Sequence, residues 1–536
     1  MSAAKIKPLL RSSFFFPGLL LFLWVSNFYG TPYSTEHQDN RSSNSFEHSL
    51  SEQKVDSDRT VKHTHHVPAD SGALSEDEFY EEDNFHFSKG EGDEFFNEGG
   101  NGKAGDTIPE LEGKNFSDAS TSCSALQVYG SIKSCGVYNF NHESEKNGKS
   151  HHEGLTSLDS EMNIKVDLKN RNDWKLFASG RILYDAVFDL YNNEHFTDSY
   201  RESNEYDLEI GPAYVSGRIT DRLDFRLGRQ IVVWGKSDNL RLTDVLNPLD
   251  RREPGITDIE DLRLPVLMTR LDYFLSNWTF SSNFIHERRF NKMPAYGSEF
   301  YDAESPPPPE KKPGKIMEDI ETGLSLSGIF HNTDIAVYFA HYYDTNSHTV
   351  VENNMGVSEK IARYAEINMY GLALNRCLGN WLLKSEAALF DGIRLSAWEQ
   401  DGSLQENPHD YRQLGLLGGI EYSGFKDTVV SFETVYRRYL NFNLEAELSG
   451  ADEQTFQHAF RITRSFFYDT LDTILLGTYF GETCNNGGFL RFTVAYDLTD
   501  AIKLTGGIVF YESGNVSTFQ NAGDNDRFYL EVKYSF

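Results

Sequence analysis

From about Leu126 to the C-terminus, apolar and polar residues alternate with a period of two. The last run shows it most clearly: Phe528, Leu530, Val532, Tyr534 and Phe536 interleave with Tyr529, Glu531, Lys533 and Ser535, so an extended chain here has one apolar and one polar face. The alternation recurs at Ile164, Val166 and Leu168; at Leu223, Phe225 and Leu227; at Leu324 and Leu326; at Leu414, Leu416 and Ile420; at Leu490, Phe492, Val494 and Tyr496; and at Leu504, Ile508 and Phe510. Short polar turns fall at 170–173, 220–221, 276–277, 331–333, 375–380, 423–426, 468–470 and 499–500, with longer connections between them. These eight turns join sixteen strands, and the run 526–536 adds one more. A closed antiparallel barrel with both ends on one side needs an even number. The segment containing Leu126, Val128, Gly130 and Ile132 is the candidate for an eighteenth strand. Sixteen strands stay open if that segment lies outside the sheet. Two runs, 205–220 and 361–374, change phase.

Composition turns this sheet into a membrane candidate. Mean hydropathy is −0.51, and the one long apolar run, Phe14 to Val25, is too short to span; a helical membrane bundle is therefore excluded, because each span needs about 20 apolar residues. A barrel meets lipid with alternate residues only, and 39 Phe with 28 Tyr suit its interfacial girdles. The predicted fold is an all-β transmembrane antiparallel barrel of about eighteen strands over residues 125–536. It follows a signal peptide at 1–30, marked by Lys5, Lys7, Arg11 and the apolar run, and a disordered acidic periplasmic arm at 31–124. The arm carries 21 acidic and 7 basic residues, a net −14 of the chain's −31, and lacks the apolar pattern needed to bury a core. Phe79, Tyr80, Phe85, Phe87, Phe95 and Phe96 sit among its acids, as a tether or as a contact for a periplasmic protein. A net charge of −31 excludes nucleic acid as a partner. Lipid of the outer membrane of a Gram-negative bacterium and the barrel-assembly machinery are the expected partners, with Tyr534 and Phe536 as the assembly signal.

Candidate chemistry is sparse. His63, His65, His66, His151 and His152 cluster in polar tracts, which is weak evidence for a transition-metal site, and Cys123, Cys135, Cys377 and Cys484 show no metal-ligand spacing and should form no disulfide within the chain. No Gly-x-Ser-x-Gly or His-Glu-x-x-His motif occurs; neither an enzyme nor a cofactor is expected. If apolar faces meet lipid, the opposite faces line water. Arg226, Arg437, Arg461, Arg491, Glu321, Glu421 and Glu433 then belong to a lumen set that also holds Lys384 and Glu386 and balances basic against acidic charge.

The richest segment is Gly228-Arg229-Gln230-Ile231-Val232-Val233-Trp234-Gly235, followed by Asp244-Val245-Leu246-Asn247-Pro248-Leu249-Asp250-Arg251-Arg252. It resembles a poorly characterised family of porin-like proteobacterial outer-membrane barrels, marked by Gly-Arg-Gln-x-x-x-Trp-Gly and then Asn-Pro-(Leu/Phe)-Asp. The resemblance covers residues 222 to about 290 and, more loosely, the chain to Phe536; it implies a barrel of porin type. Gly228 and Gly235 release the backbone at the strand end, and the long loop next to the turn stiffened by Pro248 can fold inward as a constriction, with Arg229, Trp234, Arg241, Asp244, Asn247, Asp250, Arg251 and Arg252 touching solute. Alternatively Asp244, Asn247 and Asp250 lock the loop. The expected function is a passive channel for small or hydrophobic solutes. The alternative is an export or lipid-handling component docking a periplasmic partner.

Overall fold

Alternation without long apolar runs leaves every strand dependent on two neighbours, and the chain solves this by closing the sheet. The computed structural model describes residues 125–536, apart from 143–149, 151, 170–173, 192–194, 302, 315–319, 355–356, 397–407 and 521. The sequence readings on 1–124 lie outside the described residues.

The first strands are β1 (Ala125–Asn139), β2 (Gly154–Lys169), β3 (Trp174–Asp185), β4 (Tyr206–Thr220), β5 (Leu223–Gln230), β6 (Val266–Leu275), β7 (Trp278–Ile285), β8 (Thr322–Phe330) and β9 (Thr333–Tyr343). A separate hairpin, β10 (His348–Asn354) and β11 (Val357–Arg363), follows. The wall resumes with β12 (Glu366–Leu378), β13 (Trp381–Ile393), β14 (Tyr411–Phe425), β15 (Thr428–Tyr439), β16 (Gln454–Phe466), β17 (Leu471–Phe480), β18 (Gly488–Thr499), β19 (Ile502–Glu512) and β20 (Arg527–Ser535). These eighteen wall strands form one antiparallel sheet. It closes where β1 pairs β20, from Ser131 opposite Ser535 to Asn139 opposite Arg527. Phe536 and Gly130 exchange backbone hydrogen bonds of 2.9 Å in both directions at the seam. The first segment is thus a wall strand.

The two phase changes have different causes. In β4, Gly211 and Pro212 stand opposite Ser179 alone, a bulge between Ala178 and Gly180 that turns the apolar face from Leu208 and Ile210 to Ile219. The 361–374 run is not one strand: β11 ends at Arg363 in the loop hairpin and β12 begins at Glu366 in the wall.

One barrel end carries short turns and the other long loops. At the turn end, Trp174 packs on Phe225, Trp278 on Phe330 and Trp381 on Tyr422, with ring centroids 5.0, 5.0 and 4.4 Å apart, an amphipathic girdle of the kind that sits at a membrane interface. Between the ends Leu208, Val337, Leu372, Leu416, Phe432, Phe492 and Leu530 face outward and are exposed. No helix among the described residues is long and apolar enough to cross a membrane. Cys135, Cys377 and Cys484 are free; Cys123 lies outside the described residues.

The inner face departs from the expected uniform polarity. On β9, β12 and β13 it is apolar: Ala336, Tyr338, Ala340, Tyr342, Ile367, Met369, Ala373, Ala388 and Phe390 are buried in one cluster with Val232, Trp234, Leu240, Leu242 and Leu246. The connection between β5 and β6 has entered the barrel and covers them.

Candidate functional site

The chain leaves β5 at Gln230 and re-enters the sheet at Val266. Its root is locked by Asn247, whose Oδ1 accepts from Val232 N (2.8 Å) while its amide donates to the carbonyls of Gln230 (3.2 Å) and Leu264 (2.9 Å). Asp244 accepts from Trp234 N (3.3 Å) and Arg263 Nε (2.9 Å) and is ion-paired to Arg241, whose Nε lies 3.0 Å away. Trp234 stacks on Tyr338 with centroids 4.8 Å apart, beneath the loop and away from the rim. Asp244 and Asn247 therefore lock the loop. Both are buried and offer nothing to a solute.

The loop then reaches three sectors of wall. Glu386 of β13 accepts from the backbone of Lys236 (2.6 Å), Ser237 (3.1 Å) and Thr243 (3.1 Å) and from the Thr243 hydroxyl (2.7 Å). Gly235 makes this approach possible: its φ is +85°, and a Cβ there would lie 2.7 Å from Glu386 Oε1. Glu433 of β15 accepts from Ser237 Oγ (2.5 Å), Asp238 N (3.0 Å) and Asn239 N (2.9 Å). Lys384 stands between, pairing with Asp238, with Glu421 (3.2 Å) and with Glu433 (3.6 Å). The wall is cut to fit the loop, since inward glycines at 323, 371 and 415 leave the space that Trp234 with Leu246, Thr243 and Leu242 respectively occupy.

On the opposite side Arg252 bonds Asp207 of β4 (2.8 Å), Asp250 (2.6 Å) and the Ser203 carbonyl (2.7 Å). In the third sector Asp258 meets Arg461 (3.2 Å) and Arg491, Arg491 also reaches the Gly255 carbonyl (3.1 Å), and Tyr511 donates to the Pro254 carbonyl (2.7 Å). Of the sequence candidates, Trp234, Arg241, Asp244 and Asn247 meet at the root, Glu421 and Glu433 on Lys384, and Arg461 and Arg491 on Asp258. Three stand apart. Arg229 is ion-paired to Glu287 at the end of β5, Arg226 lies over the Tyr214 ring at 4.6 Å, and Glu321 binds Arg288 at 3.2 Å. Asp258 and Gly235's partner Glu386 were missing from the sequence candidates for the constriction; alternation placed Glu386 on the inner face and no more.

Four charged loop residues keep solvent exposure inside the wall: Asp238, Arg251, Glu260 and Asp261. Arg251 is exposed by surface area yet enclosed by the barrel around it. That enclosure, with Arg241 and Arg437 nearby, pushes its pKa down to about 10. Enclosure also raises Glu253 to about 7, with Glu299 and Asp185 adding to the rise against the pull of Arg527. The Glu253 carboxyl is thus neutral below about pH 7 and ionised above it, so the loop carries one more negative charge at pH 8 than at pH 6. Reversal potentials in a KCl gradient should shift toward cation preference from pH 6 to pH 8, and Glu253→Gln should remove the part of that shift centred near 7. Among the described residues no group of three His, Cys, Asp or Glu side chains could hold a metal ion.

The comparisons with known proteins leave the task of the barrel unstated. Residues 101–536 match the model of the family described as "Protein of unknown function (DUF1302)", and the chain belongs to that family. No curated protein matches the chain. Among solved structures, Acinetobacter baumannii OccAB2 is similar with a TM-score of 0.45 at 9% identity, covering 77% of this chain and 98% of its own. OccAB4 of the same organism gives 0.44 at 12%, covering 77% and 98%. The outer membrane channel DcaP, also from A. baumannii, gives 0.38 at 9%, covering 78% and 99%.

Proposed function

We propose that this member of the DUF1302 family is an outer-membrane channel of a Gram-negative bacterium, through which small polar solutes diffuse passively past the inward loop. The reading places the turn end in the periplasm and the loop end outside, as in barrels of this build. The single observation that carries it is the set of exposed charges inside the wall. A sealed barrel would bury Arg251, Glu260 and Asp261, none of which has an ion-pair partner among the described residues, at a cost of several kcal/mol per unpaired ion, whereas an aqueous passage leaves them, and the exposed Asp238, hydrated. Hydrophobic solutes fit less well, because the apolar inner face on β9, β12 and β13 is already covered by the loop's own side chains.

Planar-bilayer recording of the refolded full-length protein tests this. Discrete steps in KCl are expected, and an electrically silent barrel would overturn the proposal. Arg251 and Arg252, adjacent in sequence, should separate in the same assay. Arg252→Ala unties the loop from Asp207 and should add noise and substates; Arg251→Ala, which breaks no ion pair, should leave the steps clean and change ion preference.

A further inference from the structure

The outer face of the wall carries a hollow between β7 and β14. Strand register brings Phe280, Leu326, Val337, Leu372 and Ala387 into one row across β7, β8, β9, β12 and β13. Two residues nearer the loop end, Leu324, Phe339, Tyr370, Leu389 and Leu414 form a second row across β8 to β14. Together the rows line about 580 Å³ of space open to the outside, within the roughly 300–1,000 Å³ of small-molecule sites. Ala387 is the shortest side chain in either row, and Phe339 packs on Tyr370 with ring centroids 5.4 Å apart. The same strands are apolar inside as well, where Ala336, Tyr338, Met369 and Ala388 are covered by Trp234, Leu242 and Leu246 of the loop. A packed cluster therefore backs the hollow and fixes its shape.

The next row toward the loop end changes character. Thr322, His341, Asn368, Asp391 and Arg412 follow in register on β8, β9, β12, β13 and β14. His341 Nδ1 lies 3.0 Å from Asn368 Oδ1, and Arg412 Nε donates to Asp391 Oδ1 at 2.9 Å. Both members of that ion pair are exposed. Beyond it Tyr343 donates to Glu366 at 2.8 Å and Arg394 to Asp410 at 2.8 Å. Both signs of charge thus stand above the hollow, with no excess of cations.

We propose that this sector binds one zwitterionic phospholipid of the leaflet at the loop end, with an acyl chain in the hollow and the head on the Asp391–Arg412 pair. The phosphate takes the Arg412 guanidinium, whose planar donors suit bidentate bonds to it, and the ammonium takes the Asp391 carboxylate. An exposed ion pair is weak, so exchanging it for two new ones costs little. Within a bilayer the chain gains nothing by leaving water; preference for this sector comes from close packing on several sides of the chain and from the head. The inference goes beyond the channel reading and needs only that the barrel stands in a membrane.

Native mass spectrometry of the refolded full-length protein, titrated in detergent with dimyristoylphosphatidylethanolamine, tests the site. One lipid per barrel should saturate first, ahead of the adducts that any apolar wall collects. Ala387→Trp fills the hollow and Arg412→Gln breaks one exposed ion pair; each should weaken that first step about tenfold. Because Arg412→Gln touches no packed side chain, it covers a failure of Ala387→Trp to fold. Ala178→Trp adds the same bulk to the outer face of β3, two residues from the exposed Leu176, and should leave the first step unchanged. Dimyristoylglycerol, which lacks the head, and dimyristoylphosphatidylglycerol, which lacks the amine, should bind more weakly. Equal affinity for the three lipids would overturn the proposal, as would a first step that survives both Ala387→Trp and Arg412→Gln or falls equally in Ala178→Trp. Dimers of the chain that Ala387→Trp abolishes and lipid leaves intact would overturn it too, in favour of a second copy in the hollow. Bilayer recording reads the channel separately: a silent barrel with a saturable lipid step sinks the channel reading and leaves the lipid site, and a conducting barrel without that step does the reverse.

Discussion

Replacing Glu386 and Glu433 together by alanine should free the loop and raise single-channel conductance severalfold. Between them these two carboxylates accept bonds from the backbone of Lys236, Ser237, Asp238, Asn239 and Thr243 and from two hydroxyls, and both are buried. Their loss strands those donors and weakens the compensation of Lys384, whose side chain is 1% exposed. Removing one partner of a buried pair costs about 3–5 kcal/mol, comparable with what holds a loop of this length in one place. Trp234, which stacks on Tyr338 beneath the same segment, reports the release independently. Its emission should shift to the red as water reaches it. Unchanged conductance and unchanged emission would show that the root at Asn247 and the contacts of Arg252 and Asp258 suffice to hold the loop. Glu421→Gln is the control, since Glu421 touches Lys384 and no loop atom is bonded to it.

Arg527→Met should destabilise the barrel by about 3–5 kcal/mol, the largest stability effect expected of a single substitution here. Arg527 on β20 is 1% exposed, donates to Glu299 Oε1 at 2.8 Å and lies over the rings of Phe300 and Tyr511 at 4.9 and 5.4 Å. Glu299 is also buried and faces His152 at 3.1 Å. Burial alone would raise the Glu299 carboxyl, but His152 and Arg527 hold it down to about 2. A depressed folded-state pKa contributes stability above the ordinary carboxylate range and loses it as pH falls toward 2. In Arg527→Met the Glu299 pKa should rise, so the acid unfolding midpoint should move to higher pH. Adding Glu299→Gln removes the stranded charge and should restore much of the loss. Urea unfolding in detergent across pH, for both variants, checks the magnitude and the sign. A double variant no more stable than Arg527→Met would mean that packing over Phe300 and Tyr511, rather than charge, carries the effect.

Both results depend on contacts between residues more than a hundred positions apart, and that separates what the sequence determined from what the tertiary structure decided. The wall was legible. Apolar-polar alternation is a local property of an extended chain, and the short turns show themselves by residue type, so the parity of the eight turns and the terminal strand led to eighteen and assigned Leu126 to Ile132 to the wall. The bulge at Gly211 and Pro212 was visible as a change of phase, although the similar signal at 361–374 came from two separate elements. The interior was not legible. Whether an inward face meets water depends on what lies opposite it, and Ala336, Tyr338, Met369 and Phe390 are covered by a segment that arrives from another part of the chain. Equal numbers of lumen charges said nothing about their arrangement, because an ion pair is fixed by distance in space. Arg251 and Arg252 make the point within one dipeptide: the sequence treats them alike, while the fold ties Arg252 to Asp207 and leaves Arg251 without an acid in reach. The long loop with Gly235 at its start and the stiff Asn247-Pro248 turn was marked from the sequence as the segment of interest. That it is pinned from three sides, through Glu386 and Glu433, through Asp207 and through Arg461 and Arg491, was decided by the closed wall around it.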